Sequence, residues 1–129
     1  MWRVRRSKTS EHDEQAALIQ WTHTVARYVP EILLLHAIPN GGKRELITAQ
    51  RLRAEGVKPG VPDLFLPVPR YGKHGLYLEM KGSKRQPSSI QQHWIRDLRA
   101  QGYRVEVCYG WVEAAKIIAE YLGNIKVNF

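Results

Sequence analysis

The chain has 129 residues, 43% apolar and 25% charged, which fits one compact globular domain of ordinary composition. Twenty Lys and Arg against twelve Asp and Glu give +8, which calls for a polyanionic partner, either nucleic acid or an anionic membrane surface. The single cysteine, Cys108, excludes an internal disulfide framework and a cysteine zinc site, no apolar run nears the roughly 18 residues of a membrane span, and the basic N-terminus lacks the apolar stretch of a signal peptide.

Residues 1–9 read as a basic flexible arm carrying Arg3, Arg5, Arg6 and Lys8, ahead of a single domain over 10–129. Ser10 is an N-cap with Asp13 three residues on, opening a helix that should reach Tyr28 and stop before Pro30. Ile32–Ile38 is a continuous apolar run of buried-strand length, with His36 expected as a satisfied core histidine. A turn at 39–42 leads to a helix over Lys43–Glu55, ended by Gly56. Strands follow at Asp63–Val68 and Gly75–Lys81, close enough to form a hairpin. Ser88 or Ser89 caps a helix to Gln101, and Tyr103–Tyr109 is a strand. Trp111–Leu122 is an amphipathic helix with Val112, Ala115, Ile118, Ala119 and Leu122 on its apolar stripe. The order is α-β-α-β-β-α-β-α. The hairpin and the later strand–helix–strand step predict a mixed central β-sheet flanked by helices, an α/β fold.

The informative residues are polar ones on faces that should be apolar. Counting back four from Leu18 places Glu14 on the inward stripe of the first helix with Trp21 and Val25. A first-turn acid that favours the helix N-terminus is the alternative. In Leu76–Lys81 the period of two puts Glu79 and Lys81 on one face, about 6.5–7 Å apart, beside Tyr77. They read either as a structural ion pair or as catalytic groups. Asp63 follows Gly60-Val61-Pro62, where turn chemistry alone explains it. If the two strands pair, however, Asp63 and Glu79 converge, and two carboxylates repel unless a cation lies between them. Oxygen ligands with open water positions suit Mg²⁺ or Mn²⁺. A lysine beside them can hold a water and offset developing negative charge. That combination suits phosphodiester hydrolysis. Gln91 lies on the inner side of the third helix, before Trp94, Ile95 and Leu98. It is placed either to orient a phosphate or water or simply to satisfy the first turn. Arg44, Arg51 and Lys58 recur every seven residues, and Lys84 and Arg85 flank the Glu79–Lys81 strand. With Lys43 they are candidate phosphate contacts.

The ordered set Glu14, Pro62-Asp63, Glu79-Met80-Lys81 and Gln91 resembles the PD-(D/E)XK nuclease superfamily. Ile38-Pro39-Asn40-Gly41-Gly42, Gly56 through Asp63, and Ser88-Ser89-Ile90-Gln91 before Trp94 resemble its VRR-NUC family, the virus-type replication-repair nucleases, over about residues 11–122. The resemblance implies a restriction-endonuclease-like core. Asp63 and Glu79 become metal ligands, with the Met80 backbone carbonyl as a third oxygen and Glu14 reaching the metal directly or through water. Lys81 becomes the catalytic lysine, and Gln91 orients the water or scissile phosphate. Products would carry a 5′-phosphate and a 3′-hydroxyl. Asn40 matches a family position and is grouped with the DNA-binding candidates.

Stand-alone members of this type resemble homodimeric Holliday-junction resolvases. A two-fold pair of sites is the natural way to make symmetric cuts. The expected partner is therefore branched DNA, above all a four-way junction, with Ile125, Val127 and Phe129 as dimer-contact candidates. The expected setting is the cytoplasm of a bacterial or phage-infected cell, with no membrane role. Flap, fork or duplex cleavage alongside a replication-repair partner, and a catalytically silent DNA-binding module, are the competing readings.

Overall fold

In a computed structural model of the chain, the structure describes residues 10–39 and 46–126. The 1–9 arm, Asn40, Lys43, Arg44, Val127 and Phe129 lie outside the described residues.

Helix α1 spans Glu11–Val25 and begins where Ser10 caps it, its hydroxyl accepting the Asp13 N–H at 3.0 Å. It buries Leu18, Trp21 and Val25 and ends three residues short of Tyr28, in a turn. The run Ile32–Ile38 is not a buried strand. Pro30–Leu34 forms a 3-10 turn, and only His36–Ala37 pairs as strand β1. The side chains show why. A 3-10 helix repeats every three residues, so Ile32 and Leu35 turn inward while Leu33 and Leu34 are each 51% exposed. His36 is exposed rather than in the core, with Nδ1 2.9 Å from the Leu34 carbonyl oxygen.

Helix α2 covers Leu46–Ala54 and closes in a Schellman turn: Val57 N–H donates to Leu52 O and Gly56 N–H to Arg53 O, with Gly56 at φ +99°. Strand β2 is Leu64–Leu66 and β3 is Leu76–Lys81. Helix α3 is Ser89–Ala100, β4 is Arg104–Tyr109 and α4 is Trp111–Tyr121. The sheet order is β1-β2-β3-β4, antiparallel up to β3 and parallel between β3 and β4. The predicted element order and mixed sheet are present, with the 3-10 turn added.

The strand period of two divides the sheet into two faces. Leu64, Leu66, Leu76, Leu78 and Met80 point to one face and pack on α1 and α4. Ala114 and Ala115 on α4 are fully buried there and let that helix come close to the sheet. Val112, predicted on the α4 stripe, is instead 38% exposed. The other face carries Phe65, Tyr77, Glu79 and Lys81, and α3 packs against its β4 side, with Ile95 buried. Ile125 rests half-buried against the core. Among the described residues no helix is long and apolar enough to cross a membrane.

Tyr121 ties α4 to the connection after β2: its buried hydroxyl donates to Val68 O at 2.6 Å. Tyr121→Phe should therefore cost about 1–3 kcal/mol, the penalty for leaving a buried carbonyl unpaired. Ile118→Ala, which empties a fully buried site, should cost about 2–5 kcal/mol. Urea unfolding of both variants checks the two values.

Candidate active site

The β2–β3 register pairs Leu64 with Leu78. Asp63, one residue before β2, therefore lies beside Glu79. Its Oδ2 accepts the Met80 N–H at 2.7 Å, which locks the carboxylate onto the end of β3. The approach to Asp63 runs through Gly60, at φ +89°. A Cβ there would come within 2.9 Å of Ile90 Cγ1 and 3.0 Å of the Trp94 ring. Glycine is needed twice over, for the left-handed backbone and for close packing of the loop on α3.

Glu79 is only 2% exposed. Its Oε1 accepts from Gln91 Nε2 at 3.0 Å and lies 3.7 Å from Lys81 Nζ, while its buried Oε2 meets no hydrogen-bond donor. Burial and the Asp63 charge push the Glu79 carboxyl up to about 8, against the pull of Lys81. Burial also raises Asp63, partly offset by the hydrogen bonds from the Met80 amide and from the Glu79 carboxyl. With no cation bound, both carboxyls are held above their ordinary values, because burial disfavours two neighbouring negative charges. A proton or a cation between the two groups removes the same repulsion.

The predicted residues have distinct placements. Asp63, Glu79, Lys81 and Gln91 come together. Lys81 is nearly enclosed, its side chain 10% exposed. Gln91 satisfies the first turn, as one of its two readings expected, and also reaches Glu79. Its Oε1 accepts the Ser88 N–H at 2.9 Å in a capping box, while its Nε2 holds Glu79. Glu14 is engaged elsewhere: Oε2 accepts the Trp111 N–H at 2.7 Å. Helix α4 is preceded by Gly110, which has no side chain to cap it, so Glu14 supplies the carboxylate at that N-terminus from α1.

The α1 carboxylate whose charge acts on both Asp63 and Glu79 is that of Glu11. Its Oε1 accepts the Gly82 N–H at 3.0 Å, directly after Lys81, and pairs with Arg85 at 3.8 Å. A count of one turn back from Leu18 reaches Glu14 and misses this group. A count of two turns, seven residues, reaches Glu11 on the same stripe.

Among the described residues no three His, Cys, Asp or Glu side chains converge as a ready metal cage. The donor set is two carboxylates plus a backbone oxygen. Gly75 O bonds Arg104 N on the β4 side, so by alternation the Met80 carbonyl projects toward the Asp63 side. A buried carboxylate oxygen without a donor, beside a second carboxylate, fits a hard divalent cation that keeps several waters.

Of the DNA-binding candidates, Arg51, Lys58, Lys84 and Arg85 are all exposed. Lys84 sits at φ +63° in the turn after β3. Lys58 lines a cleft of about 420 Å³ with Val61 and Trp94. Cys108 is buried, its thiol pushed up to about 12, so it is no nucleophile.

A mixed four-stranded sheet between helices, with paired carboxylates and a lysine at one strand end, defines an α/β protein of the restriction-endonuclease-like class. The VRR-NUC domain profile matches residues 3–111. The chain belongs to the VRR-NUC family, whose domain marks a nuclease. A solved structure of a VRR_NUC domain protein matches with a TM-score of 0.75 at 24% identity, covering 95% of each chain, a likeness of fold. No match exists among curated proteins.

Because Glu79 is raised, metal-free stability should be full in the ordinary carboxylate range and fall as pH climbs toward about 8. Thermal melting should show that slope, Glu79→Gln should flatten it, and added Mg²⁺ should restore stability at alkaline pH. A second pair of variants tests the role of Glu14. Glu14→Ala should lower stability by about 0.5–2 kcal/mol as a lost helix cap, with Glu14→Gln recovering much of it. Denaturation of the two variants distinguishes a cap from a metal ligand.

Proposed function

We propose that this nuclease is a Mg²⁺- or Mn²⁺-dependent endodeoxyribonuclease acting in the cytoplasm on branched DNA, with a homodimeric Holliday-junction resolvase as the leading form. The observation that carries the metal-dependent reading is the buried Asp63–Glu79 pair, with a Glu79 oxygen that meets no donor. Asp63, Glu79 and the Met80 carbonyl would hold the cation. When bound, the cation supplies Lewis-acid stabilisation of charge on the scissile phosphate.

The chain's own groups do the rest. Lys81, held against Glu79, presents an ammonium to the attacking water and to the charge that builds on phosphate oxygens. Gln91 fixes the Glu79 carboxylate through its amide and keeps the start of α3 in register with β3. Glu11 holds the backbone after Lys81 and faces the acidic pair, the place first expected for Glu14. Water adds to phosphorus, the bond to the 3′ oxygen breaks, and the leaving oxygen takes a proton. The proton given up by the water balances the one taken by the leaving oxygen, and the cut strand yields one fragment ending in a 5′-phosphate and one ending in a 3′-hydroxyl. The exposed Arg51, Lys58, Lys84 and Arg85, with Lys43, Arg44 and Asn40, would meet flanking phosphates. Two copies at +8 each suit the dense charge of a four-way junction.

Asp63→Ala and Lys81→Ala should each lower cleavage by about 10²–10⁴-fold, the span for loss of a positioned catalytic group, while binding in EDTA persists. A gel assay on four-way junction, flap, fork and duplex, with Mg²⁺, Mn²⁺ or EDTA, decides the reading, and light scattering reports the dimer. Cutting in EDTA, or undiminished cutting by Lys81→Ala, overturns the metal site. Binding without any cutting identifies a silent DNA-binding module. Removing Arg44, Arg51 and Lys58 together should reduce the log–log salt slope by about 0.9 for each duplex phosphate that is no longer neutralised.

A further inference from the structure

The sheet face that carries Glu79 and Lys81 continues, away from the carboxylates, as a row of aromatic rings. Register aligns His36 with Phe65 and Phe65 with Tyr77 across β1, β2 and β3. The His36 ring meets Phe65 edge-on at 5.8 Å, and Phe65 stacks on Tyr77 at 4.2 Å with the planes 21° apart. Tyr103, just before β4, stands edge-on to Tyr77 at 5.3 Å, and His74 to Tyr103 at 5.6 Å. The two histidines are exposed and the three central rings half-buried. Helices α1 and α4 cover the opposite face, and α3 lies against β4.

Three properties select the occupant. The row is continuous with the site, since Tyr77 precedes Glu79 by two residues on the same face, about 6.5–7 Å along the strand. None of its five members is acidic, and the exposed Lys73 adjoins its end at His74, in a chain whose net charge is +8. Aromatic side chains on a sheet face that no described helix covers offer stacking surfaces for nucleobases, and bases can use them only when unpaired.

We propose that the His36–Phe65–Tyr77–Tyr103–His74 ladder is a stacking platform for the unpaired bases of a DNA strand adjoining the scissile phosphate. The inference rests on the nuclease reading and, within it, favours a flap or fork over a fully paired four-way junction: the preferred substrate has a single-stranded segment next to the cleaved bond. The phosphate lies at the carboxylates, and the neighbouring nucleotides run along β3 toward β1.

The experiment compares binding of a duplex with a single-stranded tail against a blunt duplex of equal length, by fluorescence anisotropy in EDTA. Phe65→Leu and Tyr77→Leu keep apolar cover and remove a ring; thermal melting identifies the variants that fold. The parent should prefer the tailed duplex, and each folded variant should lose roughly tenfold of that preference, in line with stacking energies per base. On the unaltered protein, 5-iodouracil in the tail should crosslink within the peptides containing Phe65, Tyr77 or Tyr103. Parent preference absent, variant preference unchanged, or crosslinks confined to other segments overturns the platform. So does a variant that alters the oligomeric state rather than the tail preference, which makes the face an interface between copies. Tail preference in a protein that cuts no DNA would instead leave the platform standing and remove the nuclease reading.

Discussion

Asp63 and Glu79 are carboxylates held side by side by the pairing of two antiparallel strands. The register that buries Leu64 and Leu78 on one face leaves no freedom to separate them, because Asp63 is also fastened to the Met80 amide. The fold thereby maintains a repulsion that an isolated chain would relieve by moving apart. Protonating Glu79 relieves it in one way and a cation in another. Every neighbouring group is arranged around that tension. Lys81 and Gln91 attend to one oxygen of Glu79, and the other oxygen is left without a donor. A core that buries a charge pair without full compensation gives up stability, which is the common pattern where binding or chemistry is the return.

Helix α1 acts as a strap across this arrangement. Its first turn carries three acids, Glu11, Asp13 and Glu14, and two of them reach distant backbone amides. Glu11 holds the strand exit at Gly82, and Glu14 holds the entry to α4 at Trp111. One helix start thus positions the residue after Lys81 and the last helix of the fold. Glu14, which a one-turn count picks out, accepts from the start of α4, and Glu11, two turns back, accepts from the strand exit beside the acidic pair.

Much of this was readable from the residues. The period of two in Leu76–Lys81 fixed which side chains share a face, and Ser88 and Ser89 announced a capped helix. The short link after β2 announced a hairpin, so the convergence of Asp63 and Glu79 followed. The Ile32–Ile38 run misled because an unbroken apolar stretch has no periodicity to distinguish strand from turn. The deciding factors were Pro30 at the start of the turn and the three-residue spacing of Ile32 and Leu35. The distinction between Glu11 and Glu14 turns on where the helix N-terminus lies relative to two partners 71 and 97 residues away, which helix counting alone cannot supply. The aromatic row was equally hidden, since its members come from three strands and two loops and become neighbours only once register is set.

The separations of these hydrogen bonds along the chain carry a kinetic consequence. Asp63 meets Met80 across 17 residues and Gln91 meets Glu79 across 12, whereas Glu11 and Glu14 must close loops of 71 and 97. Closing a longer loop costs more entropy, though only logarithmically, and non-local contacts slow folding. The hairpin that seats the acidic pair is thus the local part of the arrangement, and the strap from α1 the non-local part. Loss of α1 from its seat would leave the Asp63–Met80 bond in place but unfasten the backbone behind Lys81. The hairpin's own bonds thus need only nearby chain, while the strap needs nearly the whole domain.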